Sequence, residues 1–207
     1  NIEINNLQEK VVALNIGLGE KEETLKFTES YDTVNRVAIN NEANTVDISV
    51  KTLDSIISSQ HNEIPAMIKI DVEGYETAVL NGGEKTLENK NLKAIIIELN
   101  GSGKAFGFDE REIHSGLLQK GFAPYSYNPK NRKLDKIDSF GNNNTIYIRD
   151  IDFVKNRVSA ARKIIIGVQQ TQASFNPRIL SFGLDSSKGP RECGSGSYEA
   201  YQSRIRN

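Results

Sequence analysis

The sequence predicts an α/β domain with parallel central strands and an antiparallel end. Residues 67–70 (MIKI) and 94–99 (AIIIEL) are short apolar runs, each leading into a helical stretch. Such runs suit strands buried on both faces of a parallel sheet. Residues 122–128 (FAPYSYN) and 144–149 (NTIYIR) read instead as an antiparallel pair across a polar loop. Strand, helix, strand, helix, strand and a terminal hairpin together spell one mixed sheet.

At 207 residues the chain is one domain, or one domain plus an appendage. No apolar run approaches the roughly 20 residues of a membrane-spanning helix. Residues 1–10 (NIEINNLQEK) have neither the basic start nor the apolar stretch of a signal peptide. The single cysteine, Cys193, excludes an internal disulfide and a multi-cysteine metal site. A cytoplasmic protein is the simple reading. From Ile151 onward nine Lys/Arg stand against four Asp/Glu. This basic tail has no basic run and no regularly interleaved aromatics, so it reads as solvated, with neither nucleic acid nor membrane as partner.

Taken in order, residues 1–9 suit the end of an amphipathic helix, and residues 10–18 (KVVALNIGL) a strand loosened by Gly17 and Gly19. Residues 24–28 (TLKFT) alternate as a hairpin partner. Residues 31–44 read as a surface loop with a short strand at 36–39, and residues 45–50 (TVDISV) alternate again. Thr52 can cap a helix that carries Asp54 in its first turn. Residues 58–65 form a loop into the central strand 67–70. Residues 75–80 are helical, Gly82 and Gly83 interrupt, and residues 84–91 are helical again. Residues 109–120 are amphipathic with Ile113, Leu117 and Leu118 on one face and Gly121 as the stop. Residues 152–163 suit a last helix. A domain over 1–163 is thus expected, with 164–207 as a mostly irregular tail.

Ligands of open α/β sheets sit outside the carboxyl ends of the strands. That rule marks Asp71-Val72-Glu73-Gly74, where strand hands over to helix, as the active-site edge.

Three segments together resemble the FkbM family of S-adenosylmethionine-dependent methyltransferases: residues 12–20 (VALNIGLGE), 50–56 (VKTLDSI) and 68–83 (IKIDVEGYETAVLNGG), the last followed by 95–98 (IIIE). The resemblance spans about residues 1–162. It implies a Rossmann-like class I methyltransferase sheet with strand order 3-2-1-4-5-7-6. It also implies S-adenosyl-L-methionine as cofactor and O-methylation of a hydroxyl on a sugar, glycan or secondary metabolite. Asn15, Ile16 and Gly17 are carried over as contacts on the adenine side. The family's first strand with its glycine-rich turn, and its second strand ending in a ribose-binding acid, have no counterpart. The sheet is therefore expected to lack those two strands, and the chain reads as a fragment of a longer gene product or one with a misassigned start. Residues 162–168 (RKIIIGV) are a conceivable replacement strand beside 68–70.

The resemblance brings Asp71 to the cofactor and acceptor, where a carboxylate can take a hydroxyl proton or hold the sulfonium end; the plainer role is to cap the next helix. Glu73 either lines the acceptor pocket or serves the helix dipole, three residues before Glu76. Gly74 lets the backbone turn sharply or approach a ligand closely. Glu98 faces the acceptor or pairs with a lysine. Asp71, Glu73 and Glu98 suit a divalent cation in type, but nothing in the sequence demands one and no metal is expected. His61 and His114 read as surface residues, and Tyr125 and Tyr127 either frame the acceptor or pack the sheet. Two rivals stand beside the methyltransferase: a nucleotide-sugar glycosyltransferase using Asp71-Val72-Glu73 as a metal-binding motif, and a catalytically inactive fragment.

Overall fold

The computed structural model describes residues 2–29, 35–39, 42–59, 63–141 and 144–162. A first sheet is built from β1 (Gly17–Leu18), β2 (Glu23–Thr28) and β3 (Thr45–Lys51), in the order β1-β3-β2. β2 runs antiparallel to β3 from Glu23 opposite Val50 to Thr28 opposite Thr45. β1 runs parallel to β3 through Gly17 with Val50 and Leu18 with Lys51. The strand expected over 10–18 is thus paired only at its end. β3 itself runs back to Thr45, yet only Gly17 and Leu18 join its ladder. Val12, ahead of the paired stretch, is 73% exposed. The expected helix end at residues 1–9 is a succession of turns, with the Leu7 carbonyl accepting from Lys10 and Val11. The short strand expected at 36–39 is one bridge, Val37 opposite Phe27.

α1 (Leu53–Ser59) follows, with the Thr52 hydroxyl accepting the Ser55 amide at 3.0 Å as a cap should. β4 (Met67–Ile70), α2 (Glu76–Asn81), α3 (Glu84–Glu88) and β5 (Ala94–Glu98) then make a crossover unit in which β4 and β5 pair in parallel, Ile70 opposite Ile97. A 3-10 turn (Ser102–Phe106) leads to α4 (Glu110–Gln119), whose cap is Asp109, accepting from the Arg111 amide at 2.9 Å. β6 (Ala123–Asn128), β7 (Lys133–Lys136), β8 (Asn144–Ile148) and α5 (Ile151–Ala160) complete the described chain. The second sheet has the order β4-β5-β8-β6-β7, with β8 antiparallel to both β5 and β6. The mixed α/β class and the antiparallel end agree with expectation. β7 was not foreseen, because its KLDK has one apolar residue and owes its extension to pairing with β6.

The core lies where β5 is sandwiched: Ala94, Ile95 and Ile97 are all buried, which explains the unbroken apolar run. Ile113 and Leu117 of α4 join this core four residues apart, whereas Leu118, one position further round the helix, is 43% exposed rather than inward. Arg149, just past β8, ties two helix ends to the sheet. Its guanidinium donates to the carbonyls of Leu87, of Asn89 at 2.6 Å, of Leu92 at 3.1 Å and of Lys120 at 3.1 Å, and lies 4.0 Å from the Phe122 ring centroid. The carbonyls of Leu87, Asn89 and Lys120 are at the negative ends of α3 and α4, where a cation is favoured.

The two sheets meet at the α2–α3 junction. The Asp54 carboxylate accepts the amides of Lys85 at 3.0 Å and Thr86 at 2.9 Å and the Thr86 hydroxyl at 2.6 Å, so an acid on α1 caps α3. The Asp54 amide in turn donates to the Gly82 carbonyl at 3.0 Å. Gly82 packs so closely on the first sheet that a Cβ there would lie 2.0 Å from the Gly19 carbonyl oxygen. Beyond this junction the outer edge of β4 carries no partner strand among the described residues, and Met67 on it is 57% exposed. The replacement strand at 162–168 and the tail at 164–207 lie outside the described residues, save for Arg162. Among the described residues no helix is long and apolar enough to cross a membrane.

Gly82→Ala is expected to lower the unfolding free energy by about 3 kcal/mol, since backbone rather than a flexible side chain must move. Arg149→Ala is expected to cost about 3 kcal/mol, with Arg149→Lys recovering less than half because a point charge cannot reach four carbonyls. Urea denaturation with an unchanged m-value checks both.

Candidate functional site

The turn after β4 is shaped by two residues with positive φ, Glu73 (+53°) and Gly74 (+105°). A Cβ at Gly74 would lie 2.8 Å from the Ser102 carbonyl oxygen and 3.0 Å from the Phe106 ring, so this turn is pressed against the one that follows β5. The close neighbour that requires glycine is therefore the chain itself. Asp71, one step beyond Ile70, is exposed and its carboxylate pairs with the Lys69 ammonium. It does not cap α2, which has no side-chain cap. Glu98 ends β5 opposite Asn144 and accepts from the Asn100 side-chain Nδ2 at 3.5 Å rather than from a lysine.

The buried acid of this region is Glu76, 2% exposed. One of its carboxylate oxygens accepts the Val72 amide at 3.2 Å and the Gly74 amide at 3.3 Å. Burial pushes its carboxyl above the ordinary glutamate range. Its own amide and those of Gly74 and Val72 pull it down, and the charge of Glu110 adds upward. The sequence signal lay in its spacing: Glu76 stands three and four residues before Val79 and Leu80, on the buried face of α2.

Tyr75 joins this turn to its surroundings. Its ring meets Phe106 edge-on at 5.3 Å and Phe108 at 6.0 Å. Burial, with Glu23 and Glu20 nearby, pushes its phenol up. Phe108 in turn lines an open cavity of about 600 Å³ at the carboxyl end of β5, with Leu99, Asn100, Gly101, Lys104, Asp109, Glu110, Arg111 and Phe140. Glu110 holds the cavity's rim by accepting the Gly101 amide at 2.7 Å. Asp109 is engaged by a forked bond from Arg111, at 2.6 to 3.0 Å, which holds its carboxyl down at about 2.

Asp71, Glu73, Gly74 and Glu98 do not line this cavity, nor do Asn15, Ile16 and Gly17. Asn15 is exposed, Ile16 is half-buried, and the space beside Gly17 is filled by Val50 and Phe27. Gly19 is likewise closed off by Val50 and Tyr75. Among the described residues no group of three His, Cys, Asp or Glu stands together to hold a metal ion. Tyr125 and Tyr127 face their ladder partners in β7, opposite Lys136 and Leu134, and neither lines the cavity. His61 lies outside the described residues. His114 is half-buried rather than a plain surface residue: its Nδ1 is 2.8 Å from the Tyr147 hydroxyl and its ring 5.5 Å from Phe140. Burial pushes the Tyr147 phenol up, so it stays neutral and able to hydrogen-bond that nitrogen.

A family model for the Methyltransferase FkbM domain matches residues 2–124, more than half of the chain. The chain belongs to the FkbM methyltransferase family. The matched span holds the Gly17–Gly19 segment, Asp54, the turn from Asp71 to Glu76 and most of the cavity wall, and it ends inside β6. No curated protein sequence matches the chain. Among solved structures, the crystal structure of Methyltransferase FkbM from Methylobacillus flagellatus KT is similar, with 17% sequence identity and a TM-score of 0.41 over 71% of this chain and 30% of that one. This FkbM chain thus spans 30% of the length of that relative.

Gly74→Ala is expected to destabilise the fold by about 2 kcal/mol, through its positive φ and the Ser102 carbonyl. Thermal unfolding checks it, with Gly101→Ala as the comparison: that glycine also has positive φ, but nothing lies within 4 Å of the added carbon.

Proposed function

We propose that this chain is the acceptor-side part of an S-adenosyl-L-methionine-dependent O-methyltransferase acting on a hydroxyl of a sugar, glycan or secondary metabolite. The observation that carries the reading is the pairing of two strand-end features. The acid-bearing turn after β4 and the cavity after β5 stand at the carboxyl ends of adjacent parallel strands, joined by Tyr75 and Phe108.

The described residues do not enclose the cofactor by themselves. The spaces beside Gly17 and Gly19 are taken by this chain's own side chains, and Asn15 is exposed. We infer that further strands of a Rossmann-like class I sheet lie between β1 and the open edge of β4. The exposed Met67 and Val12 are what such strands would cover.

In this reading a sulfonium donor supplies the electrophilic methyl group, and this chain's residues seat the acceptor and receive its proton. Phe108, Phe140 and Leu99 offer apolar walls, while Asn100 and Lys104 offer donors to hydroxyls. Asp71, outside the cavity at the end of the neighbouring strand, is the general base for an acceptor hydroxyl that projects from the cavity, with the Lys69 ammonium beside it to steady the carboxylate. Glu73, Gly74 and Glu98 shape the acceptor side.

S-adenosylhomocysteine titrated into the isotope-labelled chain joined to the strands inferred above is expected to shift the amide resonances of Ile16, Gly17 and Asp71, and spectra unmoved at saturating ligand would end the reading. For methyl transfer, Asp71→Asn is expected to lower kcat by about 100-fold while leaving the melting temperature unchanged. An undiminished kcat removes Asp71 from the chemistry.

A further inference from the structure

We propose that Glu76 is a positioning residue for Glu73, holding it from beneath through the backbone. The two amides that its oxygen receives belong to Val72 and Gly74, the residues on either side of Glu73. Glu73 between them has φ +53°, a conformation that a residue with a Cβ adopts only when its surroundings impose it. Two further contacts close the clamp. The Tyr75 amide donates back to the Val72 carbonyl at 3.4 Å, and Gly74 abuts the Ser102 carbonyl.

The chemistry at position 76 calls for an acceptor without donors. The amides of Val72 and Gly74 both donate to one oxygen of this carboxylate. A carboxylate carries no hydrogen, so either of its oxygens can fill that place. A glutamine can fill it only with its single oxygen turned the right way, and its NH₂ group is a donor. Burying a charge is costly unless it is hydrogen-bonded, and Glu76 is buried among amides and faces no cation in a described ion pair. Its bonds therefore go to the shape of the turn that carries Asp71 and Glu73. Glu110 does the same one strand over, receiving the Gly101 amide at the cavity rim.

The role in the reaction rests on the reading of Asp71 and Glu73 as acceptor-side acids, so the test has a structural arm and a kinetic arm. In Glu76→Ala, amide hydrogen exchange at Val72 and Gly74 is expected to quicken by about 100-fold, with Ile95 and Ile97 changed by less than about threefold. Glu76→Gln is expected to fall between, and it carries the test if the alanine variant does not fold. Added formate is expected to restore protection in the alanine variant and to leave the parent chain unchanged. Equal acceleration at Ile95 and Ile97, or none at Val72 and Gly74, overturns the clamp whatever the chemistry does.

In the methyl-transferring protein, Glu76→Ala is expected to lower kcat about tenfold or more with the acceptor KM within about threefold, because a misplaced group loses rate before it loses binding. A normal kcat with a loosened turn overturns the positioning role. If Glu73→Gln leaves kcat intact while the exchange result stands, the assignment of Glu73 fails, and Glu76's part in the reaction falls with it.

Discussion

The structure depends on one backbone contact, the approach of Gly82 to Gly19. A helix junction following the central strand and a turn of the first sheet can touch main chain to main chain here only because position 82 carries no Cβ. Asp54 fastens the same joint from the other side, receiving three donors at the start of α3 while its amide binds Gly82. Through this joint the first sheet is registered against the helices over β4 and β5. Leu18 packs against the main core as a result. Tyr75 reaches from the β4 turn to the Gly19 loop at the same level.

A second theme is that acids here hold backbone. Asp54, Glu76 and Glu110 each accept amides from a segment distant in sequence or a turn strained in shape. A charge-assisted bond to an amide is stronger than a neutral one, and it satisfies donors that a tight turn cannot pair with its own carbonyls. Two of these acids flank the candidate site, at the ends of adjacent strands. Rigid support of this kind lets a short turn keep Glu73 at positive φ beside a close approach at Gly74.

Family membership was legible because the decisive motif is contiguous. In residues 68–83 the apolar strand, the acidic turn, the helix and the glycine pair follow one another without interruption, and the model for the FkbM domain spans them. The roles of the individual acids were not legible. Asp71, Glu73 and Glu76 lie within six positions and are alike in type, yet one pairs with Lys69, one occupies a left-handed turn and one is buried. The pairing of His114 with Tyr147 was hidden for a simpler reason, since the two residues lie 33 positions apart.

By itself the sequence determined the local elements: strands where apolar runs end on turn residues, the cap at Thr52, the amphipathic α4 with Ile113 and Leu117 inward. These follow from side-chain period and from hydrogen bonds that close within one turn. Only the tertiary structure decided that residues 10–16 stay unpaired, that KLDK becomes a strand, and that Asp54 and Glu76 turn inward. Each of those outcomes depends on a partner strand or an unsatisfied amide elsewhere in the chain, and no local pattern records where such a partner will stand.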